Sequence, residues 1–89
     1  MEEQSPKVLI ADDDVDFRDM LRAFLTEEGY VTLEASNGNE AFEVAVNESP
    51  DVVILDVMMP ARNGFDVCRE LKNDQRTQNS VIVMLTVRN

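Results

Sequence analysis

The 89-residue chain has no histidine, a single cysteine (Cys68), and only 8 basic side chains against 18 acidic ones. Without histidine there is neither a histidine-based zinc site nor a histidine-dependent catalytic triad. One cysteine excludes a disulfide framework. A deficit of positive charge, net -10, argues against direct binding to nucleic acid or to an anionic membrane surface. Apolar runs are only a few residues long, so no signal peptide or membrane span is expected, and a cytoplasmic location follows. Internal repeats and low-complexity segments are absent. What is present is a 44% apolar fraction, enough for an ordinary small core.

The acids are unevenly placed. Residues 1–59 carry fifteen acidic and three basic side chains, whereas residues 60–89 carry three and five. Val8–Ala11, Val52–Leu55 and Val81–Leu85 are continuous apolar runs, the pattern of strands buried on both faces of a parallel sheet. Tyr30–Ala35 alternates and suits an edge strand. Between them, Asp14–Glu28 has helical spacing with Phe17, Met20, Leu21, Phe24 and Leu25 on one face, and Gly29 at its end. Asn37-Gly38 signals a turn before a helix over Asn39–Glu48, with Ala41, Phe42 and Ala45 inward and Ser49-Pro50 as its stop. Pro60 and Asn63-Gly64 mark a loop before a helix over Phe65–Lys72, with Val67, Cys68 and Leu71 inward; a polar connector follows. This β-α-β-α-β-α-β order predicts one α/β domain over residues 1–89, a doubly wound parallel sheet with right-handed crossovers.

The three continuous runs each end in a chemically useful residue: Asp12-Asp13, Asp56 and Thr86. In an open α/β sheet, ligands bind beyond the carboxyl ends of the strands, where strand order reverses. Carboxylates brought together there repel, so they require a cation or raised pKa values. Oxygen-only ligands select a hard ion, and Mg2+ is the natural candidate. A carboxylate beside such an ion can act as a nucleophile toward a phosphoryl group, to which Thr86 can donate a hydrogen bond. A single strand-end aspartate is often only a helix cap, which is the expectation for Asp14. Cys68 and the Met58-Met59 pair are read as packing residues. Asp12, Asp14 and Asp16 mimic the start of a calcium-binding EF-hand loop, but Phe17 and Ala23 stand where Gly and Glu are needed.

Taken together, Val8-Leu9-Ile10-Ala11-Asp12-Asp13-Asp14, Leu55-Asp56-Val57-Met58-Met59-Pro60 with Gly64, and Val83-Met84-Leu85-Thr86 resemble a response-regulator receiver domain of two-component signal transduction. The resemblance implies a flavodoxin-like sheet of strand order 2-1-3-4. It also implies Mg2+-dependent phosphorylation of Asp56 by a sensor histidine kinase or histidine phosphotransfer protein, which supplies the phosphohistidine. On this pattern Asp13 is a direct Mg2+ ligand, Asp12 assists, Asp56 also contacts the metal, and the Met58 backbone carbonyl completes the set. Thr86 matches the switch hydroxyl, and Pro60 and Gly64 match the loop that shapes the site. Such a chain is a signalling phosphoacceptor, at most self-catalysing the transfer, and not an enzyme. Haloacid-dehalogenase phosphatases also use a strand-end aspartate, but expect a second one where Met58 stands.

Receivers normally continue past the Thr strand to a fifth strand with a phosphate-binding lysine, and no lysine follows Lys72 here. The expectation is a receiver truncated after its fourth strand. That leaves the edge of Val81–Leu85 to recruit a second copy. It also opens an alternative role as a phosphorylation-impaired interaction or dimerisation module.

Overall fold

The structure, a computed structural model, describes residues 5–85. Seven elements follow in order: β1 (Lys7–Ala11), α1 (Val15–Glu27), β2 (Val31–Ala35), α2 (Gly38–Glu48), β3 (Val52–Asp56), α3 (Gly64–Lys72) and β4 (Val81–Leu85). All strand pairs are parallel, and the sheet runs β2-β1-β3-β4. The doubly wound, flavodoxin-like order read from the sequence is therefore the observed one. Because β2 lies on one side of β1 while β3 and β4 lie on the other, right-handed crossovers put α1 on the opposite face from α2 and α3.

Local chemistry sets the helix ends. The Asp14 carboxylate caps α1 by accepting from the backbone N–H groups of Asp16 (3.0 Å) and Phe17 (3.2 Å), as expected for that residue. Gly29, at φ +97°, supplies the left-handed residue after α1. At α2 the capping is reciprocal: Asn37 Oδ1 accepts from Glu40 N, and Glu40 Oε1 accepts from Ser36 N and Oγ. Those two bonds hold the Glu40 carboxyl below its ordinary pKa. Asn63 Oδ1 caps α3 through Asp66 N.

The core lies on the α2/α3 face. Leu9, Ala11, Ala35, Val53 and Leu55 from the strands meet Ala41, Ala45, Val67 and Leu71 from the helices. Cys68 and Phe42 pack against it half-buried, and Met59 is buried while Met58 is 71% exposed. The methionine pair thus divides into one packing residue and one surface residue.

Two expectations are corrected on the other face. No residue of α1 is buried, and Met20 and Phe24 are mostly exposed. β4 takes the edge position expected of it, but it is not buried on both faces as its apolar run suggested: Val81 and Val83 are exposed. Strand side chains alternate between faces, so Val8, Ile10, Ile54, Val81 and Val83 all look toward the α1 side. α1 packs against β1 and β2, and among the described residues no second helix lies beside it. Val8 and Ile10 are consequently buried while the β4 valines are not. Among the described residues no helix is long and apolar enough to cross a membrane.

Candidate functional site

Strand register brings the site together. Ala11 pairs with Leu55 across β1 and β3, so Asp12 and Asp56 each stand one step further on, at the carboxyl ends of adjacent parallel strands. Such strands are about 4.8 Å apart. Asp13 follows immediately, and one carboxylate oxygen from each of Asp12, Asp13 and Asp56 lies within 4.8 Å of the others. Asp12 and Asp56 are buried and Asp13 is exposed. The three residues singled out from sequence therefore converge. Asp56 also pairs with Leu85 across β3 and β4; Thr86, the expected switch hydroxyl, lies outside the described residues.

The carboxylates are held by backbone donors. Asp14 N donates to Asp12 Oδ1 at 2.9 Å, and Met58 N donates to Asp56 Oδ1 at 3.2 Å. Arg18 Nη1 donates to the Asp12 backbone carbonyl at 2.8 Å, while its Nε pairs with Glu34. The guanidinium thus braces the main chain at Asp12. Among the described residues no ion pair involves Asp12, Asp13 or Asp56. Burial pushes the Asp12 carboxyl above its ordinary pKa, and the neighbouring charges of Asp56, Asp13 and Asp14 add to the rise against the opposing Asp14 N–H bond. An oxygen-only trio with a buried acid and no paired base suits a hard divalent cation.

The loop after β3 closes one side. Gly64 N donates to the Val57 carbonyl at 2.9 Å. A Cβ at Gly64 would come within 2.5 Å of the Asp56 carbonyl oxygen and 3.0 Å of Val57 Cα, so only glycine lets α3 start this close to the acidic strand end. Met58 lies in this loop, with its amide on the Asp56 carboxylate and its side chain exposed. Arg18, which braces the main chain at Asp12, and Arg62, in the loop after β3, were not anticipated. Basic residues on a helix and in a loop carry no sequence signal for such placement.

A doubly wound sheet with a carboxylate cluster at its strand-order reversal defines a class of small acidic-site α/β domains. Comparison with known proteins narrows it. The response regulator receiver domain family matches residues 8–89, and the chain belongs to that family. It is 44% identical over 86 residues to the probable transcriptional regulator ycf27 of Pyropia yezoensis, covering 97% of this chain and 34% of that protein. It is 40% identical over 81 residues to the phosphate regulon transcriptional regulatory protein PhoB of Pseudomonas aeruginosa, covering 91% and 35%. The chain thus spans about a third of the length of these curated relatives. Among solved structures it resembles the chemotaxis response regulator CheY4 of Vibrio cholerae, with TM-score 0.91, 32% identity, and coverage of 97% of this chain and 72% of that one. The N-terminal domain of a response regulator receiver protein from Methanoculleus marisnigri gives 0.89 at 29% identity, covering 96% and 69%.

Proposed function

We propose that this receiver domain accepts a phosphoryl group on Asp56 from the phosphohistidine of a sensor histidine kinase or histidine phosphotransfer protein, with Mg2+ as cofactor. The observation that carries the reading is the convergence of Asp12, Asp13 and Asp56 oxygens within 4.8 Å, with no ion pair to them among the described residues. Asp13, Asp12, Asp56 and the Met58 backbone carbonyl would hold the ion, which when bound neutralises phosphoryl charge. An Asp56 carboxylate oxygen attacks phosphorus, the P–N bond to imidazole breaks, and the freed nitrogen keeps the electron pair. The Met58 amide orients the Asp56 carboxylate. Arg18 fixes the main chain at Asp12. Thr86 supplies the switch hydroxyl. Transfer of this kind is signalling chemistry in the cytoplasm, self-catalysed at most, and involves neither direct nucleic-acid nor membrane contact.

Incubation with a small acyl or amido phosphodonor and Mg2+, followed by intact-mass measurement, tests the assignment. One added phosphoryl group that disappears in Asp56→Asn is expected. No addition, or addition that persists in Asp56→Asn, contradicts it.

A second reading is favoured by the uncharged strand β4, which among the described residues pairs with β3 on one side and with no strand on the other. Here the chain pairs through Val81–Leu85 with a second copy, and acts as an interaction or dimerisation module whether or not Asp56 is phosphorylated. Light scattering across a concentration series is expected to show a dimer that Val83→Lys dissociates. A monomer at high concentration removes this reading.

A further inference from the structure

We propose that Arg62 is a positioning residue for the acidic site: clamped between α2 and α3, it holds the strained loop whose Met58 amide orients Asp56. This deepens the reading of the site as a cation-assisted phosphoacceptor and rests on it. The loop from Val57 to Asn63 contains an unusual turn. Ala61 has φ +73°, a left-handed value for a residue with a side chain, and Arg62 N donates to the Pro60 carbonyl at 2.8 Å. An i to i+2 bond around such a residue is the rare, strained form of γ-turn. Strain of this kind persists only where its surroundings over-determine it.

Arg62 supplies those surroundings. Its guanidinium Cζ lies 5.2 Å from the centroid of the Phe42 ring on α2, within cation–π range. Both terminal nitrogens donate to Glu70 Oε1 on α3. Its main chain presses against Gly38 at the start of α2, where any Cβ would strike the Arg62 carbonyl oxygen and Cβ. Gly38 N in turn donates to the Pro60 carbonyl at 3.2 Å, so that one oxygen takes N–H groups from both sides of the turn. Arg62 Nε is buried with no partner among the described residues. A buried donor left without a partner calls for an explanation, and the geometry its side chain imposes on the loop is one. Here that geometry is the path of the chain from Pro60 back to Met58, whose amide sits on Asp56 Oδ1.

The test uses the 89-residue chain, its Arg62→Ala and Glu70→Gln variants, Mg2+ titration by calorimetry, and amide hydrogen exchange without metal. Arg62→Ala is expected to raise the Mg2+ dissociation constant about tenfold, the usual scale for losing an outer partner of a metal site. Glu70→Gln, which keeps the Phe42 stack, should raise it less. In metal-free protein, exchange at the Met58 and Gly64 amides should quicken about tenfold in Arg62→Ala while Leu9 and Ile10 stay protected. Mg2+ binding by the unaltered chain with unchanged affinity in both variants overturns the positioning role and leaves the metal reading intact. No Mg2+ binding by the unaltered chain overturns the metal reading, and the proposal with it.

Discussion

The two ends of the sheet treat charge in opposite ways. At the amino ends of the strands, polar groups find partners. Lys7 N donates to Asp51 Oδ2 at 2.8 Å, and Lys7 Nζ reaches Glu48. Ser80 Oγ donates to the Pro50 carbonyl at 2.6 Å, and Lys72 Nζ to the Ser80 carbonyl at 2.7 Å. At the carboxyl ends, Asp12, Asp13 and Asp56 crowd together with backbone donors but no ion pair among the described residues. An end whose charges are matched is finished by the fold itself. An end where like charges are packed together and half-buried is destabilising until something else completes it, and such places are where function concentrates.

This contrast can be broken at four points, from the largest effect to the smallest. Gly64→Ala forces a Cβ against the Asp56 carbonyl. It should cost about 3 kcal/mol, the upper range for overpacking, and remove the stabilisation by Mg2+; thermal melts with and without the ion check both parts. Ser80→Ala, at the matched end, strands the buried Pro50 carbonyl and should cost about 1–2 kcal/mol in denaturant unfolding. Its response to Mg2+ should be unchanged. Asp12→Asn keeps an acceptor for Asp14 N but deletes a buried charge from the cluster. It should stabilise the metal-free protein by about 1 kcal/mol while weakening its response to Mg2+.

The smallest effects come from pH, and the two ends differ in sign. Asp12 has a folded pKa above its unfolded value. The native state therefore binds that proton more tightly, and metal-free stability should fall as pH rises through the carboxylate range. Asp74, near the start of the connector after α3, is lowered to about 2 by hydrogen bonds from Arg76. Its contribution is present above pH 3.8 and lost as pH falls toward 2, and it is small because the pair lies at the surface, with the Arg76 side chain 60% exposed. Comparing metal-free melts of the parent and Asp12→Asn chains over pH 2–7 separates the two.

Much of this was legible in the sequence because it depends on short-range pattern. Continuous apolar runs ending in acids announced both the parallel strands and the residues at their carboxyl ends. Asp14 and Gly29 marked the ends of α1 through capping chemistry that is local. Exposure was harder. Met20 and Phe24 obey helical spacing, yet spacing alone does not say how much of a face finds a neighbour. The run Val81–Leu85 reads like the runs of β1 and β3 although it lies at an edge, because an apolar strand carries no mark of what sits beside it. Ala61 and Arg62 were invisible for a different reason. A left-handed turn is normally signalled by Gly or Asn, whereas here tertiary contacts from Phe42, Glu70 and Gly38 impose it on an alanine.

Completion of the acidic end by a divalent cation is tested most directly by thermal unfolding of the parent and Asp12→Asn chains across a Mg2+ titration. A ligand bound only by the folded state at a hundred times its dissociation constant adds about 2.7 kcal/mol. The expected result is a midpoint that climbs with Mg2+ in the parent and climbs far less in Asp12→Asn. A parent midpoint indifferent to Mg2+ contradicts the assignment.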